Sequence, residues 1–178
     1  MNKQQLRKYI RSQKLLHSKE ECKQMSEEIC RHLTSNVMLQ KARIVVSYWP
    51  LPDEVDVTSV NDYLVAIGKT VLLPKVISET EMTLHRYEGM SSLQSGAYGI
   101  LEPQGGEVEL CEQEDIVAIV SGMAFDTSCH RLGRGKGYYD RFLSAHAYIY
   151  KIGVCYPFQN VDEVPADKHD VMMNEVLF

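Results

Sequence analysis

Arg131, Arg134, Lys136 and Arg141 stand among three alternating glycines, Gly133, Gly135 and Gly137, in the stretch HRLGRGKGYYDRF from His130 to Phe142. Four cations with little side-chain bulk between them describe a loop suited to an anion. Alternating glycines let the backbone turn through positive φ and bring its N–H groups close to a ligand, and Arg131, Arg134 and Lys136 add full charges. Phosphate is the best match. Tyr138 and Tyr139 follow at once, offering flat rings or hydroxyls, and Asp140 is placed to hold a divalent metal on phosphate oxygens.

The familiar phosphate motifs do not fit. A P-loop needs Ser or Thr after its GK pair, whereas Gly137 follows Lys136 here, and the dinucleotide fingerprint GxGxxG is replaced by GxGxG. As a pattern alone the loop has a plainer alternative, a solvated basic turn.

The elements around the loop favour the ligand. DIVAIVSGMAF before it reads as one buried strand, and GYYDRFLSAHA after it restarts helical spacing, with Tyr138, Tyr139, Phe142, Leu143 and His146 on one face. The glycines thus fall between a strand's carboxyl end and a helix's N-terminus, where open α/β sheets bind ligands. Upstream, Leu6, Tyr9, Ile10 and Gln13 recur at i, i+3, i+4, i+7, and Ser18 with Glu21 forms a capping box, so two helices open the chain. The β-branched runs ARIVVSYW, KTVLLPKV, DIVAIVSGMAF and YKIGVCYP then alternate with polar or helical stretches. One of these, VTSVNDYLVAIGK, is helix-sized and ends at Gly68. Continuous apolar runs separated by helix-length segments predict an α/β fold, a mostly parallel sheet with helices on both faces. TLHRYEG alternates and reads as an edge strand or a hairpin arm, and SGAYGILEPQGGEVELCEQED reads as a long surface connection.

Composition sets the bounds. The 178 residues suit one domain with a core that needs no disulfide or metal staple. A formal net charge of -5 argues against nucleic-acid binding, so any anion site is local. Cys22, Cys30, Cys111, Cys129 and Cys155 are odd in number and widely spaced, which fits reduced thiols in the cytoplasm. No apolar run approaches the roughly 18 residues of a membrane span, so no membrane partner is expected.

The block AFDTSCHRLGRGKGYYDRFL closely resembles the signature of the 5-formyltetrahydrofolate cyclo-ligases, also called methenyltetrahydrofolate synthetases. KQQLRKYIRSQK at the start, YWPLPDEVDV after the first strand and VPADKHDVMMNEVLF at the end agree in order, so the resemblance spans nearly the whole chain. It implies a single-domain, Rossmann-like sandwich acting as a monomer. It also implies a reaction: 5-formyltetrahydrofolate becomes 5,10-methenyltetrahydrofolate with ATP as co-substrate and Mg²⁺ as cofactor, releasing ADP and phosphate. Nucleotide would meet Lys3, Arg7, and the run Arg131, Leu132, Gly133, Arg134, Gly135, Lys136, Gly137, Tyr138 and Tyr139. Folate would meet Trp49 and Glu54, together with Arg134, Gly135, Lys136, Gly137 and Tyr138. The metal would sit with Asp140 and Asp170. Arg134, Lys136 and Tyr139 would serve the chemistry, the two cations directed at phosphate.

Each assignment has a structural rival. Glu54 fits a solvated acidic turn, Trp49 a core position, Lys3 and Arg7 a solvated helix face, and one or both tyrosines simple packing. Asp170 is nondescript by itself, and its neighbour His169 reads as structural. The chain departs from the family at Cys129, where Gly is usual, and at Ser121, where Pro is usual. Both departures flank the strand-to-loop turn and bear on its shape. A rival function is a non-catalytic folate or nucleotide binder, which would not need both Asp140 and Asp170. A third is a phosphosugar isomerase or acyl-CoA transferase on a related scaffold, with no ATP dependence.

Overall fold

The computed structural model describes residues 1–96 and 101–178. Helices α1 (Lys3–Lys14) and α2 (Lys19–Ser35) open the chain, each started by a reciprocal capping box, Asn2 with Gln5 and Ser18 with Glu21. These boxes satisfy N–H groups that a helix start leaves without acceptors. A third, short helix not anticipated from the sequence, α3 (Val37–Lys41), is capped by Asn36.

Strands and helices then follow as β1 (Ile44–Val46), α4 (Thr58–Ala66), β2 (Thr70–Val76), β3 (Met82–Tyr87), β4 (Leu93–Ser95), β5 (Leu101–Pro103) and β6 (Ile116–Ser121). The remainder is β7 (Ala124–Asp126), β8 (Arg131–Leu132), α5 (Tyr138–Ala145), β9 (Tyr150–Val154), β10 (Asn160–Val161) and β11 (Glu175–Leu177). Six strands form one sheet in the order β11, β9, β6, β1, β2, β3. Every pair in it is parallel except β2 with β3, so TLHRYEG is at once an edge strand and the arm of a hairpin with β2.

Successive side chains of a strand point to opposite faces, and the core divides accordingly. Val45, Val71, Leu73, Val117 and Ile119 join Ile29 and Leu33 of α2 and Leu64 of α4 in one cluster. Ile44, Val46, Leu72, Ala118 and Val120 join Leu143 of α5 in another. Helices therefore cover both faces. Helix α1 lies elsewhere: its buried Leu6 and Ile10 pack on Met123, Ala124 and Leu132. Each fully buried Val, Leu, Ile or Met side chain among these contributes about 1.5–3 kcal/mol.

DIVAIVSGMAF is not one strand. It breaks after Ser121, and β7 belongs to a second sheet of order β10, β7, β8. Gly122 allows the break, because a Cβ there would come within 2.7 Å of the Phe125 ring. The surface connection predicted for 95–115 contains β5, which pairs antiparallel with β4; its residues 97–100 lie outside the described residues. Among the described residues no helix is long and apolar enough to cross a membrane.

Strand β1 has β2 on one side and β6 on the other, so the sheet order reverses there. The carboxyl ends of β1 and β6 thus flank the crevice in which such sheets hold ligands.

Candidate functional site

A short hairpin presents the glycine loop to that crevice. Strands β7 and β8 pair antiparallel and are joined through Asp126 to His130, with Asp126 N–H donating to the His130 carbonyl at 3.2 Å. Three residues, Thr127 to Cys129, make the turn, and Cys129 has φ 64. A three-residue hairpin loop ordinarily places a left-handed residue third, which explains why Gly suits this position and why Cys there is strained. The buried Asp126 carboxylate holds the turn: it accepts from the backbone N–H of Ser128, His130 and Val164 at 3.0, 3.0 and 2.9 Å. Ser121, the other departure, closes β6, and its hydroxyl lies 3.3 Å from Glu54 Oε1.

Beyond β8, Gly135 and Gly137 take φ 110 and 70, conformations open to Gly and strained for other residues. Arg7 Nε donates to the Gly133 carbonyl at 2.8 Å, pinning the loop to α1. Loop and helix enclose a polar cavity of about 140 Å³, walled by Lys3, Arg7, Arg131, Gly133, Gly135 and Gly137. Leu132, Asp140 and Asp170 complete its lining. Every one of these is a residue expected at nucleotide or metal. The Leu132 side chain itself is buried in the core, which leaves its backbone for any ligand.

Within this cavity Arg131 is almost fully buried; it pairs with Asp140 Oδ2 at 3.0 Å, and its Nε–H has no partner among the described residues. Lys3 pairs with Asp170 Oδ2 at 2.5 Å and Asp167 Oδ2 at 2.7 Å. Burial would lower the Lys3 pKa, but those two carboxylates raise it, and the lysine stays charged. Among the described residues no group of three or more His, Cys, Asp or Glu is arranged to hold a metal by itself. Asp140 and Asp170, both lining this cavity, are nevertheless the donor type that suits Mg²⁺, which beside a nucleotide takes one or two carboxylates and completes its shell with phosphate and water.

A second cavity of about 590 Å³ adjoins the first, sharing Arg131, Gly133, Gly137 and Asp140 as a common wall. Its volume is that of a drug-sized ligand site. Trp49, Glu54, Arg134, Lys136, Tyr138 and Tyr139 line it, which brings together the residues expected at folate with one exception. Gly135 lines only the smaller cavity. Trp49 packs against the core beside Tyr87 and also lines the cavity.

The two tyrosines differ. The Tyr138 hydroxyl donates to the Ser78 carbonyl at 2.9 Å, tying the start of α5 to the loop after β2. Tyr139 packs under the Arg131 guanidinium, 5.4 Å from its ring centre. Burial pushes the Tyr139 hydroxyl far above its ordinary pKa, with the Glu54 charge acting the same way, so it keeps its proton.

Arg134 departs from expectation: it points to carboxylates on the facing turn. Its Nη2 meets Asp53 Oδ1 at 2.5 Å, and both Nε and Nη2 lie 3.1 Å from Glu54 Oε1. These are the nearest opposite charges, and the planar guanidinium fork suits two acceptors at once. The other Asp53 oxygen accepts from Lys14 Nζ at 2.8 Å. Asp53, Lys14 and Ser121 were missed as site residues. Lys14 falls seven residues after Arg7 and shares its helix face, a spacing that was available; Asp53 stood hidden beside Glu54.

Comparison with known proteins follows the same outline. A profile of the 5-formyltetrahydrofolate cyclo-ligase family matches residues 1–178. A probable 5-formyltetrahydrofolate cyclo-ligase of Schizosaccharomyces pombe is 30% identical over 168 residues, covering 85% of this chain and 82% of that one. The 5-formyltetrahydrofolate cyclo-ligase of Mycolicibacterium smegmatis is 33% identical over 143 residues, with coverage of 76% and 73%. Among solved structures, Aquifex aeolicus 5,10-methenyltetrahydrofolate synthetase superposes with TM-score 0.83 at 35% identity, covering 99% of this chain and 89% of that one. A 5,10-methenyltetrahydrofolate synthetase from Mycoplasma pneumoniae gives TM-score 0.79 at 27% identity, covering 99% and 98%.

Proposed function

The chain belongs to the 5-formyltetrahydrofolate cyclo-ligase family, and from that premise we propose that its two joined cavities bring ATP to 5-formyltetrahydrofolate and release 5,10-methenyltetrahydrofolate, ADP and phosphate. One observation carries the placement of the chemistry: the small polar cavity and the large one share the wall made by Arg131, Gly133, Gly137 and Asp140. A phosphoryl donor in the first would meet an acceptor in the second across the glycine loop.

The chemical problem is an amide-like formyl group, a poor electrophile whose oxygen is a poor leaving group. In the proposed sequence the γ-phosphoryl group of ATP passes from its ADP moiety to the formyl oxygen, N10 attacks the activated carbon and gives up its proton, and phosphate departs with that proton as the methenyl cation forms. No protein nucleophile is needed, so the residues act by positioning and by neutralising charge. Arg131, Lys136 and the loop N–H groups receive the phosphates, and the unpartnered Arg131 Nε–H supports that role. Mg²⁺ held by Asp140 and Asp170 would supply further charge neutralisation at phosphate oxygens. Glu54 accepts the two parallel N–H groups of the amino-pyrimidine, with Trp49 beside the ring system. Tyr139, holding its proton, donates to the formyl or phosphate oxygen.

Purified protein given 5-formyltetrahydrofolate, ATP and Mg²⁺ is expected to show methenyl-folate absorbance rising in step with ADP. ADP formed without the folate, or no absorbance rise, would sink the reading.

A further inference from the structure

We propose that Asp53 is a positioning residue for this reaction, keeping Arg134 at the lining of the larger cavity when Glu54 turns to the pterin. The inference rests on the cyclo-ligase reading and deepens it. Glu54 is close to saturated as it stands: Oε1 takes Arg134 Nε and Nη2 with the Ser121 hydroxyl nearby, and Oε2 accepts the Leu51 N–H at 3.1 Å. A carboxylate offers about four lone-pair sites. Two parallel N–H groups of an amino-pyrimidine therefore need the guanidinium to give up its hold on Oε1.

Asp53 supplies the remaining hold. Its Oδ1 contact with Arg134 is the shorter of the two carboxylate pairs, 2.5 against 3.1 Å, and it does not depend on Glu54. The Asp53 carboxylate is itself fixed, because Lys14 Nζ donates both to Oδ2 and to the Asp53 backbone carbonyl, at 2.8 and 2.5 Å. The Lys14 side chain is only 9% exposed, so the anchor is set into the end of α1. Burial would raise the Asp53 pKa, but Lys14 and Arg134 together hold it below the usual carboxylate range, and Asp53 stays charged at neutral pH. An arginine held by one fixed carboxylate can pivot toward a phosphate without leaving the site.

The test is a double-mutant cycle of Asp53→Asn and Arg134→Ala, with kcat and both KM values measured and activity referred to the folded fraction. Asp53→Asn should lower kcat about three- to fivefold while the folate KM moves by less than about twofold, the upper end of what a partly exposed charge pair is worth. In the Arg134→Ala background the same substitution should change kcat by less than about twofold, since it acts through that side chain. Unchanged kcat, a rise in folate KM alone, or additive effects would each overturn the proposal. If Asp53→Asn unfolds at the assay temperature, Asp53→Glu, which displaces the carboxylate by one methylene, must show the kcat-selective loss instead. Wild-type turnover separates the two readings: without methenyl product the cyclo-ligase reading fails, and with it a normal Asp53→Asn defeats only the role given to Asp53.

Discussion

Lys136 lines the larger cavity on an exposed stretch of the glycine loop and makes no salt bridge among the described residues. Its removal leaves no buried charge behind, so Lys136→Ala should change unfolding free energy by less than about 0.5 kcal/mol. Turnover should fall on the order of a hundredfold if the ammonium meets the transferring phosphoryl. Urea titration beside initial rates checks both halves, and near-normal turnover would remove Lys136 from the chemistry. Arg134 was legible only as a cation; its carboxylate partners were not. They lie 80 and 81 positions away in the chain, and only the meeting of the turn after β1 with the loop after β8 joins them. Tyr138 and Tyr139, alike in sequence, separate in space because the first reaches outward to Ser78 and the second inward under Arg131.

The hairpin of β7 and β8 is the element on which the site turns. The strand before the loop and the helix after it were readable from apolar runs and helical spacing, and so was the placement of the glycines between them. The break at Gly122 was not, since SGMAF continues the apolar run and only the fold brings the Phe125 ring so close that residue 122 has no room for a side chain. Cys129 was readable as a departure, and its φ of 64 now gives the departure a physical content. Left-handed backbone costs a non-glycine residue about 1–2 kcal/mol, against about 0.5–1 kcal/mol of extra chain entropy lost by Gly. Cys129→Gly is therefore expected to stabilise the protein by about 0.5–1 kcal/mol, read as a higher denaturation midpoint. A lower midpoint would mean that contacts of the thiol with the second core cluster outweigh the strain.

At the scale of the molecule, the site is a convergence of distant segments. Helix α1 brings Lys3, Arg7 and Lys14 on one face, the turn after β1 brings Trp49, Asp53 and Glu54, and the C-terminal stretch brings Asp170. Only the family resemblance, not periodicity, joined these pieces in the sequence, because long-range contacts leave no local mark. Asp126 ties two of the segments, the hairpin and the chain at Val164. Burial would raise its pKa, yet the Val164 and His130 N–H groups and the His130 ring hold it below the ordinary value. A depressed carboxylate contributes stability above its unfolded pKa of about 3.9 and loses it as pH falls through the folded one. Asp126→Asn should thus cost about 2–3 kcal/mol at pH 7, with the gap to wild type closing below about pH 4; a gap constant with pH would contradict the assignment. The central claim, that the two cavities join phosphoryl transfer to ring closure, is tested most directly by following methenyl-folate absorbance and ADP together in one reaction. Equal amounts of both, formed only when 5-formyltetrahydrofolate and ATP are present together, are predicted; binding of both ligands without product would contradict it.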